Sequence, residues 1–309
     1  MKVVAWIALA VIILIILGLI YYLTVGALLF RIIFSKKNIS RRIIGKDVDQ
    51  AIKDYKIDLC WWDKIKFKKV SIQSFDQIKL VGHFFDAQSS KTVIVVHGFG
   101  QDYREMQPYC KMFYERNYNV LVVDNRGHGE SEGNVGFGWI DRKDILSWID
   151  YLNVKAPENK IVLFGLSMGG TAVCCASGEK LPQNVSAIIS DCAFCNADKQ
   201  IQHIMRKKKF LLKLFKKHLY DFSKRVQGFD IMQIDALKMV NQCALPILFI
   251  HGKEDNFVPV ENVYDLYSVA QNREKFLVDG AAHAMSYVVA GVSYEKKICD
   301  FIKSRTNID

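Results

Sequence analysis

Three polar residues of this sequence stand where the chemistry of nucleophilic catalysis needs them. Ser167 follows the apolar run Ile161–Phe164 inside Gly-Leu-Ser-Met-Gly, Asp255 follows the apolar run Ile247–Ile250, and His283 lies in a loop beyond a later apolar run. A serine hydroxyl is a poor nucleophile at neutral pH, so it needs a histidine to accept its proton and an acid to orient that histidine. These residues predict a site in which Ser167 is the nucleophile, His283 the base and Asp255 the acid.

The glycines around Ser167 indicate a sharp turn from a strand into a helix. In such a turn the nucleophile has a strained backbone, and the residues two positions away must be small so that strand and helix can approach, which explains Gly165 and Gly169. The oxyanion formed during attack also needs amide donors. We expect them to be the backbone N–H of Met168, which follows the serine, and that of Phe99 in the segment His-Gly-Phe-Gly.

Other residues could fill two of these roles. Glu254 or Asp191 could orient the base in place of Asp255, since both lie at or just after the end of an apolar run. Four more histidines are weaker candidates for the base, because they end a strand beside a glycine, belong to a basic segment or lie on an early strand: His251, His203, His218 and His83.

No cofactor or metal is predicted. The sequence contains neither Gly-x-Gly-x-x-Gly nor Gly-Lys followed by Ser or Thr, the motifs that cradle phosphates. Cys192 and Cys195 form a single Cys-x-x-Cys pair without a second pair, so we interpret them as packing residues. A chain of 309 residues can build its core without disulfides, and the eight cysteines are expected to be reduced thiols.

The elements that must position these residues alternate along the chain. Two runs of period near two come first and fit an antiparallel edge, and six continuous apolar runs follow, as expected for strands buried on both faces. The runs are VSIQSF, LVGHFF, TVIVVH, NVLVVD, KIVLFG, SAIISD, PILFIH and KFLVDG. Helix-length segments separate them, near residues 106–115, 141–152, 171–177, 261–270 and 294–302. This alternation predicts an α/β fold with a mostly parallel sheet covered by helices.

One interval breaks the alternation. About fifty residues separate Asp191 from Pro246, more than one crossover helix needs, so we expect an insertion at about 194–242. Its apolar residues recur at helical spacing, with most of its lysines on the other side, which indicates a basic amphipathic helix or helix pair. This segment could be a lid whose lysines are solvated, or a surface that contacts the membrane.

The N-terminal segment differs from the rest. Residues 3–30 carry no charged side chain and would form about 42 Å of helix, which predicts a transmembrane anchor. A cleaved signal peptide is the alternative, but this apolar run is too long for one. Six basic residues between 31 and 46 follow the span and only Lys2 precedes it, which favours a single-pass membrane protein with a cytoplasmic catalytic part. The net charge of +10 is concentrated locally, so no nucleic-acid partner is expected.

Five segments together carry a resemblance to a known family. HGFG, DNRGHGES, GLSMGG, GKEDNFVP and GAAHA occur in this order within about Val70 to Ile302. On these motifs the chain resembles the α/β-hydrolase superfamily, and more narrowly serine hydrolases similar to monoacylglycerol lipase and the serine aminopeptidase-like group. The resemblance implies a mostly parallel eight-stranded sheet, a lid in the inserted interval, no cofactor and an acyl-serine mechanism. It also implies that the turn at 124–131 is structural and that the chain order Ser167, Asp255, His283 is the usual one.

These observations combine into one functional expectation. The chain is predicted to have an anchor at 3–30, a basic and aromatic connector at 31–65 and an α/β-hydrolase domain at 66–305. The predicted activity is cleavage of carboxylic esters, with a small-molecule or lipid-like acyl ester as substrate. A peptidase of the same fold and a catalytically silent binding or scaffold protein are the alternatives. A dehalogenase is disfavoured because it needs an aspartate in the position of Ser167.

Overall fold

A computed structural model describes residues 2–34 and 61–306 of the chain. Its eight strands are β1 (Lys68–Gln73), β2 (Lys79–Phe85), β3 (Lys91–Val96), β4 (Asn119–Val123), β5 (Lys160–Leu166), β6 (Val185–Asp191), β7 (Ile247–Gly252) and β8 (Arg273–Val278). They form one sheet in the order β1-β2-β4-β3-β5-β6-β7-β8. β2 pairs antiparallel with both β1 and β4, and the remaining pairs are parallel. The predicted mostly parallel eight-stranded sheet with an antiparallel edge is therefore confirmed.

Helices cover both faces of this sheet. In chain order they are α1 (Lys2–Phe34), α2 (Trp61–Lys64), α3 (Gln107–Tyr114), α4 (Asp141–Lys155), α5 (Met168–Ala176), α6 (Ala197–Ile204), α7 (Lys209–Gln227), α8 (Ala236–Asn241), α9 (Glu261–Val269), α10 (Ser286–Ala290) and α11 (Val292–Arg305). The five helical segments expected between strands correspond to α3, α4, α5, α9 and α11.

The central strands are apolar along their whole length because both of their faces are buried. In β3, Ile94 packs into a core formed with α4, α5 and α9, whereas the adjacent Val93 packs into a second core formed with α3 and α11. Successive side chains of a strand point to opposite faces, so each strand contributes to both cores. The sheet is thereby fixed between two helical layers, and the C-terminal ends of its parallel strands lie along one edge.

The insertion between β6 and β7 forms a helical cap. It consists of α6, α7 and α8 with short 3₁₀ turns. Apolar side chains of α6 and α7 belong to a third core that also contains Met168, whereas those of α8 belong to the core shared by α4, α5 and α9. The basic amphipathic character expected from the sequence is seen in α7, where Leu212 and Leu219 are buried while Lys213 and Lys217 are exposed. α1 also contributes to this third core, through Leu29 and Ile33 among others.

α1 is the one helix within residues 2–34 and 61–306 that is long and apolar enough to cross a membrane, with a mean hydropathy of 3.3. It runs to Phe34, four residues beyond the predicted span, so its last turn falls in the segment expected to be a connector. The rest of that predicted connector up to residue 60 lies outside the described residues. From Val3 to Tyr21 every residue of α1 is exposed, whereas Gly26, Leu29 and Ile33 are buried.

Candidate active site

Ser167 lies in a tight turn between β5 and α5. Its backbone has φ 55° and ψ −114°, a strained conformation for a residue with a side chain. A Cβ at Gly165 would overlap the carbonyl of Gly169, and a Cβ at Gly169 would overlap the carbonyl of Val96 on β3. Both positions therefore have no room for a side chain because of close backbone approach. The turn displays the Ser167 hydroxyl at the C-terminal edge of the sheet.

The structure brings Ser167, His283 and Asp255 together. The Ser167 Oγ lies 2.8 Å from Nε2 of His283, and Nδ1 of His283 lies 2.6 Å from Oδ2 of Asp255. Asp255 follows β7 and His283 follows β8, so the parallel sheet carries both loops to the edge at which β5 ends. All three side chains are buried. A line of hydrogen bonds therefore leads from the hydroxyl through the imidazole to the carboxylate.

Asp255 is held as a carboxylate by its neighbours. Its Oδ1 accepts backbone N–H groups from Phe257 at 2.9 Å and Val258 at 2.8 Å, and Nε2 of His251 lies 3.4 Å from Oδ2. Burial opposes ionisation, but the interactions with His283 and His251 outweigh it and hold the pKa of Asp255 well below its ordinary value. A charged acid next to Nδ1 favours the tautomer of His283 that leaves Nε2 free to accept a proton.

The two alternative acids are placed differently. Glu254 is exposed. Asp191 is fully buried and accepts a hydrogen bond from the Tyr294 hydroxyl at 2.9 Å and one from the Ser286 hydroxyl at 3.3 Å. Burial raises the pKa of Asp191 to about 6. Because Ser286 follows His283 by three residues, Asp191 fixes the loop that carries the imidazole.

The other histidines considered from the sequence make different contacts. Nε2 of His251 bonds the carbonyl of Val258 at 2.9 Å, as expected for a residue that packs locally. His203 and His218 belong to the cap, and the ring of His83 on β2 stacks on Tyr103 at 3.7 Å. Burial lowers the pKa of His83 to about 4, so this imidazole is neutral.

Phe99 and Met168 both line the same pocket as Ser167. Met168 begins α5, so its amide is at the positive end of that helix. The loop of Phe99 lies against the serine, since a Cβ at Gly98 would be 3.3 Å from the Ser167 Cβ. The N–H of Gly100 donates to Nε2 of His128 at 3.0 Å, which anchors this loop to the turn at 124–131.

The turn at 124–131 is a rigid support beside the site. Arg126 binds Asp144 through two hydrogen bonds, of 2.7 and 2.8 Å, and also binds Asp76. The Ser131 hydroxyl donates to the carbonyl of Asp124 at 2.7 Å. These contacts use the polar groups of the segment for structure, in agreement with the role expected from the sequence.

The pocket above Ser167 is apolar and lies between the sheet edge and the cap. The space between its lining side chains, counted out to the open mouth of the pocket, is about 570 Å³. The residues that line it are Phe34, Phe99, Phe137, Ser167, Met168, Phe194, Ala197, Gln200, Ile201, Ile204, Ile231, Ile234 and Phe257. Sequence reasoning identified three of these, Phe99, Ser167 and Met168. Most of the other lining residues come from the cap. The spacing of apolar residues in the cap predicts that one helix face is buried, but it does not show what that face covers.

One group of residues has the types that bind metals. Oxygen, nitrogen and sulfur atoms of Cys192, Asp255 and His283 all lie within 4.8 Å of one another. Burial raises the pKa of Cys192 well above its ordinary value, so its sulfur is a protonated thiol rather than the thiolate that metals bind. Asp255 and His283 are engaged with each other and with their other partners, so this donor set suits hydrogen bonding to Ser167 better than a metal.

Comparisons with known proteins agree with the fold described above. The family model described as serine aminopeptidase, S33, matches residues 87–233, a span that includes Ser167 and ends before Asp255. The uncharacterized protein YqkD of Bacillus subtilis is 26% identical over 275 residues, which cover 88% of this chain and 89% of YqkD. Protein bem46 of Schizosaccharomyces pombe is 21% identical and the match covers 77% of each chain.

Among solved structures, the Pyrococcus furiosus esterase Pf2001 is similar with a TM-score of 0.67 at 26% identity. The similarity covers 86% of this chain and 97% of that esterase. The esterase EaEST of Exiguobacterium antarcticum has a TM-score of 0.57 at 19% identity, which shows a common fold. The chain therefore shares its overall fold with solved esterases.

Proposed function

Because this chain belongs to the α/β-hydrolase superfamily, we propose that it is a membrane-anchored serine hydrolase that cleaves carboxylic esters through an acyl-serine intermediate. The observation that carries this proposal is the alignment of the Ser167 hydroxyl with His283 and Asp255, at 2.8 and 2.6 Å. These are hydrogen-bond distances for a nucleophile, its base and the group that orients the base.

In the proposed reaction, Nε2 of His283 accepts the proton of Ser167 as Oγ attacks the acyl carbonyl carbon. The carbonyl oxygen becomes an oxyanion and accepts hydrogen bonds from the backbone N–H groups of Met168 and Phe99. When the tetrahedral intermediate collapses, His283 gives its proton to the leaving alkoxide oxygen, the C–O bond breaks and an acyl-serine remains. Water then attacks the acyl carbon and loses a proton to His283. The bond between Oγ and the acyl carbon breaks, His283 returns the proton to Ser167 Oγ, and the acid is released.

The lining of the pocket supports an ester with an apolar acyl group. Apart from Ser167 and Gln200, the residues that line it are apolar, so an aliphatic or aromatic acyl chain would displace water from apolar surface. A peptidase remains the second candidate, because the matched family model is named for a serine aminopeptidase. An aminopeptidase must bind an ammonium group, and the lining of this pocket contains no aspartate or glutamate among the described residues.

A membrane location is supported by α1 and α7. All of the α1 residues from Val3 to Tyr21 are exposed apolar or aromatic side chains or glycine, a surface that water does not favour. In α7, Phe210 is 76% and Leu214 57% exposed, and both lie among the exposed Lys209 and Lys213. Exposed apolar residues mixed with lysines suit the interface of an anionic leaflet. The basic residues that follow the span favour a cytoplasmic catalytic part.

A fluorophosphonate probe tests the central claim. Full-length wild-type protein in native membranes is compared with Ser167→Ala and with Ser186→Ala, a serine of β6 outside the pocket. Wild type and Ser186→Ala should take the label and hydrolyse p-nitrophenyl esters, whereas Ser167→Ala should do neither. An unlabelled but folded wild type would favour the binding or scaffold alternative, and faster cleavage of aminoacyl amides than of esters would favour the peptidase.

The membrane claims need separate measurements. Extraction with alkaline carbonate should leave the protein, with residues 2–34 intact, in the membrane fraction. Recovery of a soluble chain that has lost these residues would identify α1 as a cleaved signal sequence. Protease protection of a C-terminal tag in sealed vesicles of known orientation reports the side of the catalytic part.

A further inference from the structure

The end of α1 belongs to the cap and not only to the anchor. Its buried residues Gly26, Leu29 and Ile33 recur at helical spacing, and Ile33 is completely buried. Leu29 and Ile33 share an apolar core with cap residues such as Leu212 and Leu219 of α7. A helix that served only as a tether would have no reason to bury one face against the cap.

A glycine allows this close packing. A Cβ on Gly26 would lie 2.5 Å from the carbonyl oxygen of His218 and 2.7 Å from the Cβ of Phe222, both on α7. A side chain at this position would therefore push the two helices apart. Gly18 lies eight residues before Gly26, about two helical turns further from the cap. It offers a contrast, because a Cβ there would meet nothing within 4 Å.

Polar contacts mark where α1 leaves the membrane region. The Tyr22 hydroxyl donates to the Asp221 carboxylate, and the Tyr22 ring lies 4.1 Å from that of His218. Lys217, whose side chain is 80% exposed, binds the same carboxylate. Since these charges avoid hydrocarbon, the spanning part ends near Tyr21, and the 20 residues from Lys2 measure about 30 Å, the thickness of a hydrocarbon core.

Phe34, at the end of α1, lines the same pocket as Ser167. Its ring lies 4.7 Å from that of Phe137, and Phe137 stacks on Phe99 at 5.8 Å with the planes 9° apart. An uninterrupted series of aromatic contacts therefore connects the anchor helix to the loop that supplies the proposed oxyanion amide.

We propose that the last three turns of the anchor helix are a wall of the acyl site, and that Phe34 limits the length of the acyl chain accepted. The substrate class is an ester with an apolar acyl chain whose far end lies against Phe34, Phe137 and cap residues. The contact between Gly26 and α7 holds this wall in place. The proposal rests on the ester hydrolysis proposed above and specifies which part of the chain sets its selectivity.

The experiment uses the full chain in phosphatidylcholine vesicles and 4-methylumbelliferyl esters from butyrate to dodecanoate. Phe34→Ala enlarges the pocket and should raise the ratio of kcat/KM for dodecanoate over butyrate about tenfold. A change of this size is expected because one additional methylene group in an apolar site alters kcat/KM by about tenfold or more. Phe34→Trp should lower this ratio. Gly26→Leu, which displaces α1 from α7, should raise it as Phe34→Ala does.

Two substitutions on the same helix serve as controls. Leu28 is 58% exposed and Gly18 has free space around it, so Leu28→Ala and Gly18→Leu should keep the wild-type ratio within about twofold. Fluorophosphonate labelling of Ser167 verifies that each variant is folded. Labelled Phe34 and Gly26 variants with the wild-type ratio would overturn the proposal and leave ester hydrolysis standing. A wild type that takes no label and cleaves no ester would overturn both.

Discussion

Asp255→Asn tests the assignment of the acid most directly, because it changes one atom and one charge. The Oδ1 of Asp255 accepts two backbone N–H groups, from Phe257 and Val258, and only an oxygen can continue to accept them. The carbonyl oxygen of the new amide therefore takes the Oδ1 position. Its NH₂ group then occupies the Oδ2 position, 2.6 Å from Nδ1 of His283.

An NH₂ group at that position reverses the hydrogen bond to His283. It donates where the carboxylate accepted, so Nδ1 must become the acceptor and the ring proton moves to Nε2, which faces Ser167. A protonated Nε2 cannot accept the serine proton. We expect kcat to fall about 10⁴-fold, equivalent to roughly 5 kcal/mol of transition-state stabilisation. KM should change little, because Asp255 is not among the residues that line the pocket.

The assay is steady-state hydrolysis of a soluble p-nitrophenyl ester by the full chain in vesicles, below the melting temperature of every variant. Glu254→Gln is the matched control, since Glu254 is the adjacent acid, is exposed and was the alternative suggested by the sequence. Near-ultraviolet circular dichroism verifies that both variants keep native packing. Glu254→Gln should retain kcat within about twofold of the wild type, as expected for an exposed residue away from the reacting groups.

Two results would refute this reasoning. One is a folded Asp255→Asn variant that keeps more than about a tenth of the wild-type kcat, since a reversed tautomer cannot give so small a loss. The other is an equal or larger loss in Glu254→Gln, which would show that the orienting acid had been assigned to the wrong residue.

Three further predictions concern the support of the site. Gly169→Ala should abolish fluorophosphonate labelling and destabilise the fold by about 3 kcal/mol, because the added Cβ overlaps the carbonyl of Val96; thermal melting and labelling measure this. Arg126→Ala should cost about 3–5 kcal/mol of unfolding free energy, since it leaves the buried Asp144 without its partner, and Arg126→Lys should restore part of it. Burial raises the pKa of Asp141 to about 7, so the folded chain holds that proton to higher pH than the unfolded chain and loses stability as pH rises from about 4 to 7. Melting curves of Asp141→Asn should show a smaller decline than those of the wild type, since the raised pKa of Asp191 still contributes to it.

The strands could be predicted because each central strand is a continuous apolar run. The second strand shows where this reasoning was incomplete. Its alternating pattern suggested one solvated face, yet Val81, Gly82 and His83 are all buried. A tertiary contact explains this burial. The ring of His83 stacks on Tyr103, which precedes α3, so a residue outside the strand covers the face that was expected to be exposed to solvent.

The side chains that meet at the candidate site could be predicted for a different reason, namely that residues at strand ends are recognisable from the local sequence. A strand followed by Gly-x-Ser-x-Gly identifies its serine without any knowledge of distant contacts. The choice between Glu254 and Asp255 had no such signal. Two adjacent residues after β7 face opposite ways, and only the folded loops show that Asp255 turns inward to His283 while Glu254 is exposed.

The contribution of α1 to the pocket had no signal in the sequence, and the cause lies in the composition of the helix. A helix that packs one face against a protein core usually reveals that face by alternating it with polar residues. α1 is apolar on every side, because part of it suits lipid and part of it suits the cap, and both environments select the same residue types. The composition from which we propose a membrane anchor therefore conceals where the spanning part would end. Gly18 and Gly26 look alike in sequence, and only the position of α7 makes the second one a contact that no larger residue can replace.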